Sequence, residues 1–215
     1  MNGLKSSGGG GDGRHLQGIS PYLFWLDLET TGLDDRNDKI LEIFVLVTDR
    51  DLNAIDSLEL VVHYSDEELE AMNLSSWVLR QHATLLQLVK HSSTNLREAE
   101  QQLKDFFIKH CDGKQAILAG SSVYFDRSVL KSQMPLVMPH IHHRLVDVST
   151  LMELARRWMP HLHRFAPLKN QSHRAREDVY SSLNLLSFYR TTFFQPPWQT
   201  YPTTSRPPSL HSVYL

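Results

Sequence analysis

One cysteine, Cys111, is present in 215 residues. A lone thiol excludes an intramolecular disulfide framework and fits a reducing compartment. Long apolar runs are missing too: no stretch approaches the ~20 residues that span a bilayer. The first residues lack the apolar core of a secretory signal. Asn-x-Ser matches begin at Asn73 and Asn170, and without a secretory route they read as chance. These absences predict a soluble intracellular protein of the cytoplasm or mitochondrion, with no membrane partner. A basic excess is the third absence. The formal net charge is −2, whereas proteins that track long nucleic acids neutralise many phosphates and carry surplus Lys and Arg. A nucleic-acid substrate would therefore be short or held by a few local contacts. What is present, 41% hydrophobic and 21% charged residues, suffices for one well-buried domain at this length.

Along the chain, residues 1–20 are rich in Gly and Ser and read as a disordered leader. The ordered part is expected to begin near Pro21. Phe24 to Leu28 is a strand pattern, Ile40 to Thr48 a strongly β-forming run, and Ser57 to His63 a third strand. Short polar turns between them predict antiparallel neighbours, a three-stranded meander. Helical patterning starts at Ser65, where Glu68 completes a capping box. A short helix follows Ser75-Ser76, and a longer one is capped at Thr94 and ends at Asp112-Gly113. Ala116 to Ala119 reads as a strand leading through Gly120-Ser121-Ser122 into a helix holding Asp126. Leu145 to Val148 reads as a strand leading into a helix over Ser149 to Trp158. A loop with Pro160 and Pro167 precedes the last helix, striped by Val179, Leu183, Leu186, Tyr189 and Phe193. Residues 196–215, with Pro196-Pro197, Pro202 and Pro207-Pro208, read as a disordered tail. Residues 21–195 thus form one α/β domain.

The chemistry starts at Phe24-Trp25-Leu26-Asp27-Leu28-Glu29-Thr30-Thr31-Gly32-Leu33. On a strand, Asp27 and Glu29 share one face and Leu26 and Leu28 the other. Two buried acids side by side repel and lose hydration unless a cation lies between them. Either a divalent metal sits there or both acids are solvated on an edge. Asp126, at a helix start beyond a strand end, and Asp178, opening the last helix, are candidate partners. Acids there can equally serve only the helix dipole. His173 precedes Asp178 by five residues, a spacing that brings both to one site only if His173 lies on the entering loop. A histidine there suits a general base, its ordinary pKa being ~6.5. The histidines at 140, 142, 143, 161 and 163 are too irregularly spaced for a metal site and read as solvated or structural. Asp147 reads as a structural acid at a strand end. Lys169, Arg174 and Arg176 either steer phosphate or are solvated.

Taken together, five segments carry a resemblance. They are Asp27-Leu28-Glu29-Thr30-Thr31-Gly32-Leu33, Gly120-x-Ser122-x3-Asp126-Arg127, Asp147-Val148-Ser149-Thr150-Leu151, Glu153-Leu154-Ala155-Arg156-Arg157-Trp158 and His173-Arg174-Ala175. In this order they resemble the DEDDh 3′→5′ exonucleases, and within them the oligoribonuclease family. The resemblance implies a ribonuclease H-like mixed five-stranded sheet flanked by helices. It also implies a phosphodiesterase in which Asp27, Glu29, Asp126 and Asp178 hold two divalent cations, Mg²⁺ or Mn²⁺, ~3.5–4 Å apart, with His173 as general base. Short RNA oligonucleotides, dinucleotides above all, are the implied substrates. Leu33 resembles a wedge between bases, Trp77 an aromatic platform and His82 a substrate contact. Ser122, Arg144 and Ser149 resemble a cap on the 5′-phosphate, completed across a homodimer by position 143. Here that position is His143 where the family usually has Tyr. Ser121, Phe125 and Thr30 also depart from the usual residues, and none of the departures removes a metal ligand. A proofreading-type or general DNA 3′→5′ exonuclease, or a non-catalytic RNA-binding relative, are the alternatives.

Overall fold

A computed structural model describes residues 18–168 and 174–194. A five-stranded mixed sheet forms its centre, with β1 (Ile19–Thr30), β2 (Ile40–Thr48), β3 (Ala54–Val61), β4 (Gln115–Gly120) and β5 (Ile141–Asp147) in the order β3-β2-β1-β4-β5. β1, β2 and β3 are antiparallel neighbours, and β4 and β5 add in parallel. The expected meander and the ribonuclease H-like sheet are both there.

Alternation along β1 divides the core. Phe24, Leu26 and Leu28 face a cluster covered by α3 (Ala83–His91), α4 (Leu96–Cys111) and α5 (Tyr124–Gln133). Phe24 stacks on Phe107 of α4 at 5.0 Å between ring centres. Trp25 faces the other cluster, beneath α6 (Val148–Trp158) and α8 (Ala175–Phe193), and its indole N–H donates to Thr48 Oγ1 at 2.9 Å. All nine residues of β2 are buried. That is why Ile40 to Thr48 reads as a nearly continuous apolar run rather than an alternating one.

Helix starts follow their caps. Ser65 and Glu68 form the expected box on α1 (Asp66–Ala71), and Ser75 caps α2 (Ser76–Gln81). Several boundaries differ from the sequence expectation. The sheet begins at Ile19, with Ile19 and Ser20 buried, so residues 19 and 20 belong to the domain rather than to a leader. Residues 1–17 and 195–215, the bulk of the expected leader and tail, lie outside the described residues. β3 starts at Ala54 rather than Ser57, because Leu52, with φ 71°, closes the turn one residue before Asn53. Asn95, not Thr94, caps α4, in a second capping box with Glu98. β5 runs from Ile141 rather than Leu145: Ile141 pairs with Ala116 of β4, and the polar residues His142, His143 and Arg144 occupy an irregularity before pairing resumes at Leu145. Finally, Pro160–His163 forms a short helix, α7, in the expected loop. Proline at the first helical position lacks only an N–H that has no intrahelical partner there.

Candidate active site

β1 carries the site beyond the point where its parallel neighbour stops. The β1–β4 ladder ends at Trp25 and Ala119. The β4 chain then approaches so closely that a Cβ on Gly120 would lie 2.8 Å from the Leu26 carbonyl oxygen, a contact only glycine allows. This approach delivers α5, and Asp126, in its first turn, accepts the Leu28 backbone N–H on Oδ1 at 2.9 Å. Asp126 is thereby built into the same surface as Asp27 and Glu29.

From the other side comes α8. Asp178 lies in its first turn, with its N–H donating to the Arg174 carbonyl at 3.1 Å. Carboxylate oxygens of Asp27, Glu29 and Asp178 all lie within 4.8 Å of one another. Glu29 and Asp178 are buried and Asp27 is half-buried. Three carboxylates this close, two of them buried, are mutually repulsive without a cation. An all-oxygen donor set suits a hard divalent ion. The donor geometry therefore fits the use of a divalent metal. Asp126 stands outside this group of three but lines the same cleft, of ≈ 630 Å³.

The cleft also holds Leu33, Trp77, His82 and Ser122. His82 is buried, its Nε2 3.6 Å from Glu29 Oε2, with the Trp77 ring edge-on at 5.8 Å. Leu33 is 88% exposed, yet its loop is tightly built. Asp38 accepts from Thr31 Oγ1 and from the Asp34 N–H, both at 2.8 Å. A Cβ on Gly32 would fall 2.4 Å from the Asp38 carboxylate. Leu33 is thus held out by structure, not left loose.

Asp147 is the structural acid expected, and it holds two serines together. It receives the Ser122 N–H at 3.0 Å and the Ser149 N–H and hydroxyl at 2.9 and 2.6 Å. Ser122 adopts φ 57°, strained for a residue with a Cβ, and its hydroxyl reaches Ser149 Oγ at 3.4 Å. Ser122 and Ser149 also border a second cleft of ≈ 580 Å³ between α6 and α8. Arg144 and His143 are exposed on β5, the outer strand, and line neither cleft. The His142 ring packs on His143 at 4.1 Å. Partial burial, then the charges of His143, Arg144 and Arg127, hold its pKa below the usual imidazole value.

Two expectations change. Arg174 and Arg176 are both held in ion pairs with acids of the sheet. Arg174 donates to the buried Glu42, and Arg176 Nε donates to Glu59 at 2.8 Å. Glu42 in turn raises the Arg174 pKa above its ordinary value. Glu42 escaped the sequence reading, although a charged residue inside an otherwise apolar run signals a buried partner. Tyr124, an exposed aromatic at the cleft, was missed as well; its signal is an aromatic directly after the turn that follows a strand. His173 and Lys169 lie outside the described residues.

Comparison with known proteins agrees with this architecture. The RNase T family model, described as Exonuclease, matches residues 24–186. The mitochondrial oligoribonuclease of Mus musculus is 39% identical over 182 residues, covering 83% of this chain and 76% of its own. A probable oligoribonuclease of Dictyostelium discoideum is 41% identical, covering 82% and 92%. The oligoribonuclease of Corynebacterium glutamicum is 40% identical, covering 80% of each. Among solved structures, exonuclease I of Methylocaldum szegediense superposes with TM-score 0.57 at 17% identity, over 81% of this chain and 41% of its own. A zinc-bound Escherichia coli exonuclease I–ssDNA complex gives 0.62 at 15%, over 82% and 42%. The chain spans about two fifths of those exonuclease I chains, and at such identities they share its fold. With the family match over most of its length and relatives near 40% identical, the chain belongs to the oligoribonuclease family of exonucleases.

Proposed function

We propose that this exoribonuclease hydrolyses short oligoribonucleotides, dinucleotides above all, from the 3′ end to 5′-mononucleotides, using Mg²⁺ or Mn²⁺. The observation that carries the reading is the convergence of Asp27, Glu29 and Asp178 within 4.8 Å, in a cleft bordered by Leu33 and Trp77. Asp126 completes the ligand set for two cations. When bound, these ions polarise a water and neutralise charge on the leaving 3′-oxygen.

The chain's own residues supply the rest. Leu33, on its braced loop, separates the terminal bases, and the half-exposed Trp77 ring stacks the 3′ base without regard to its identity. His82, beside Glu29, contacts the substrate close to the scissile phosphate. His173 accepts the proton of the attacking water. Ser122 and Ser149 contact the 5′-phosphate. Their shared anchor on Asp147, through the Ser122 N–H and the Ser149 N–H and hydroxyl, supports this, because residues already held in place need no ordering when the phosphate arrives. Arg144 joins Ser122 and Ser149 in the cap, and His143 completes it from the partner subunit of a homodimer. The exposure of His143 on the outer strand, away from this chain's own clefts, favours that arrangement. A cap closing after two nucleotides accounts for an enzyme of net charge −2 acting on RNA.

The test is turnover of 5′-phosphorylated RNAs of two to about ten nucleotides with Mg²⁺ or Mn²⁺, a chelator control and DNA dinucleotide competitors. Metal-dependent activity peaking at the dinucleotide is expected. Activity indifferent to length removes the cap, and preference for DNA removes the ribonuclease assignment.

A further inference from the structure

We propose that Glu42 and Arg174 are positioning residues for the metal-binding carboxylates, setting Asp178 of α8 against Asp27 and Glu29 of β1. The inference rests on the reading of those acids as a divalent-metal site. Glu42 is fully buried on β2 and stands opposite Glu29 in the β1–β2 register. Both of its oxygens accept from Arg174 Nε at 3.0 Å, and one also accepts the Ala175 backbone N–H at 3.0 Å. One carboxylate therefore grips both the residue that leads into α8 and the first N–H of that helix.

The grip reaches the site through a single residue. The Arg174 carbonyl accepts the Asp178 N–H at 3.1 Å, so the residue held at its side chain by Glu42 holds Asp178 at its backbone. Glu59 on β3 extends the clamp, accepting from Arg176 in the first turn of α8. Asp178 is the one member of the close carboxylate group that does not come from β1. Its distance from the other two depends on how α8 seats on the sheet, and Glu42 sets that seat. A buried ion pair is a poor device for raw stability, since an apolar pair of equal volume does as well or better. What it supplies is direction, because a guanidinium forked onto a carboxylate tolerates little rotation or sliding.

The test is calorimetric titration of Mn²⁺ into the full chain without RNA, for the parent, Glu42→Gln, Glu42→Ala and Arg174→Lys. Thermal unfolding and dinucleotide kinetics accompany it. Mn²⁺ affinity should fall on the order of 10-fold in Glu42→Ala, within the range for groups that orient metal ligands. Glu42→Gln, which keeps an oxygen for the Ala175 N–H, should lose less. At saturating Mn²⁺, kcat should drop while KM stays within about 2-fold, the pattern of a displaced reacting group rather than lost substrate contacts. Variants that melt earlier yet bind Mn²⁺ like the parent overturn the proposal and leave a purely structural ion pair. Should Glu42→Ala fail to fold, Glu42→Gln and Arg174→Lys decide the matter by the same readout. A parent that binds no Mn²⁺ overturns the metal reading and this inference together.

Discussion

Glu29 and Glu42 sit opposite each other across the β1–β2 ladder, on one face of the sheet, and both are buried. Their surroundings resolve the burial of a carboxylate in opposite ways. Glu42 is met by a guanidinium and a backbone N–H from the chain itself. Glu29 is met by two further acids, with a histidine at 3.6 Å, at the wall of an open cleft. A fold can neutralise a buried acid internally, which serves architecture, or gather acids and leave the charge to a ligand, which serves chemistry. Two residues in register on one sheet face show both solutions. Asp56 shows a third, on the surface, where Lys109 and His110 approach at 2.8 and 2.9 Å.

Substitutions at these acids should separate the three roles. The largest effect is expected on activity at the cluster. On the proposed two-cation reading, Glu29→Gln should cost at least about 100-fold in kcat through loss of a ligand carboxylate. Without metal its melting temperature should be unchanged or higher, because a repulsive charge has gone. A marked loss of stability without metal would mean that Glu29 is an architectural acid like Glu42.

Glu42→Ala should behave in the reverse sense, with stability as the main loss. It leaves Arg174 and the Ala175 N–H without their acceptor. Breaking a buried pair costs roughly 3–5 kcal/mol, and the low end, about 3, applies because Arg174 is partly exposed. That corresponds to a fall of roughly 6–12 °C in melting temperature for a chain of this size. Urea unfolding of the metal-free protein checks it, and a change below about 0.5 kcal/mol, the range of surface substitutions, would show that the pair adds nothing to stability.

The smallest effect belongs to Asp56. Its hydrogen bond from Lys109, followed by those from the Ser57 N–H and His110, lowers its pKa from 3.8 to about 2. A depressed folded-state pKa stabilises above the unfolded value, and that contribution is lost as pH falls through the folded one. Asp56→Asn should therefore melt slightly earlier than the parent at pH 6, and the gap should close between pH 3.8 and about 2. A gap that does not change with pH would show that the carboxylate charge plays no part.

Much of the site was legible because its signals are local. Strand alternation alone puts Asp27 and Glu29 on one face. The glycine and serines after β4 announce a turn into a helix, and hence Asp126. Capping residues announce α1 and α2. Reading failed where a partner is distant or a neighbour overrides propensity. Arg174 looks like a free loop cation until Glu42, 132 positions away, is beside it. His142, His143 and Arg144 look like a loop until β4 pairs with Ile141 and Leu145 on either side of them. Asp147 was recognised as structural, but its hold on Ser122 and Ser149 was not visible.

The sequence by itself determined the residue types of the site, their grouping on strand faces and helix starts, and the family. The grouping follows from periodicity and short-range hydrogen bonding, which act over a few residues, and the family from the resemblance of five short segments. The tertiary structure alone decided which carboxylates converge, which cations are consumed by Glu42 and Glu59, and how Asp147 braces two serines. Those outcomes depend on how α5, α6 and α8 seat on the sheet. That seating is set by core contacts and by charge pairs between residues far apart in the chain, which no local pattern encodes.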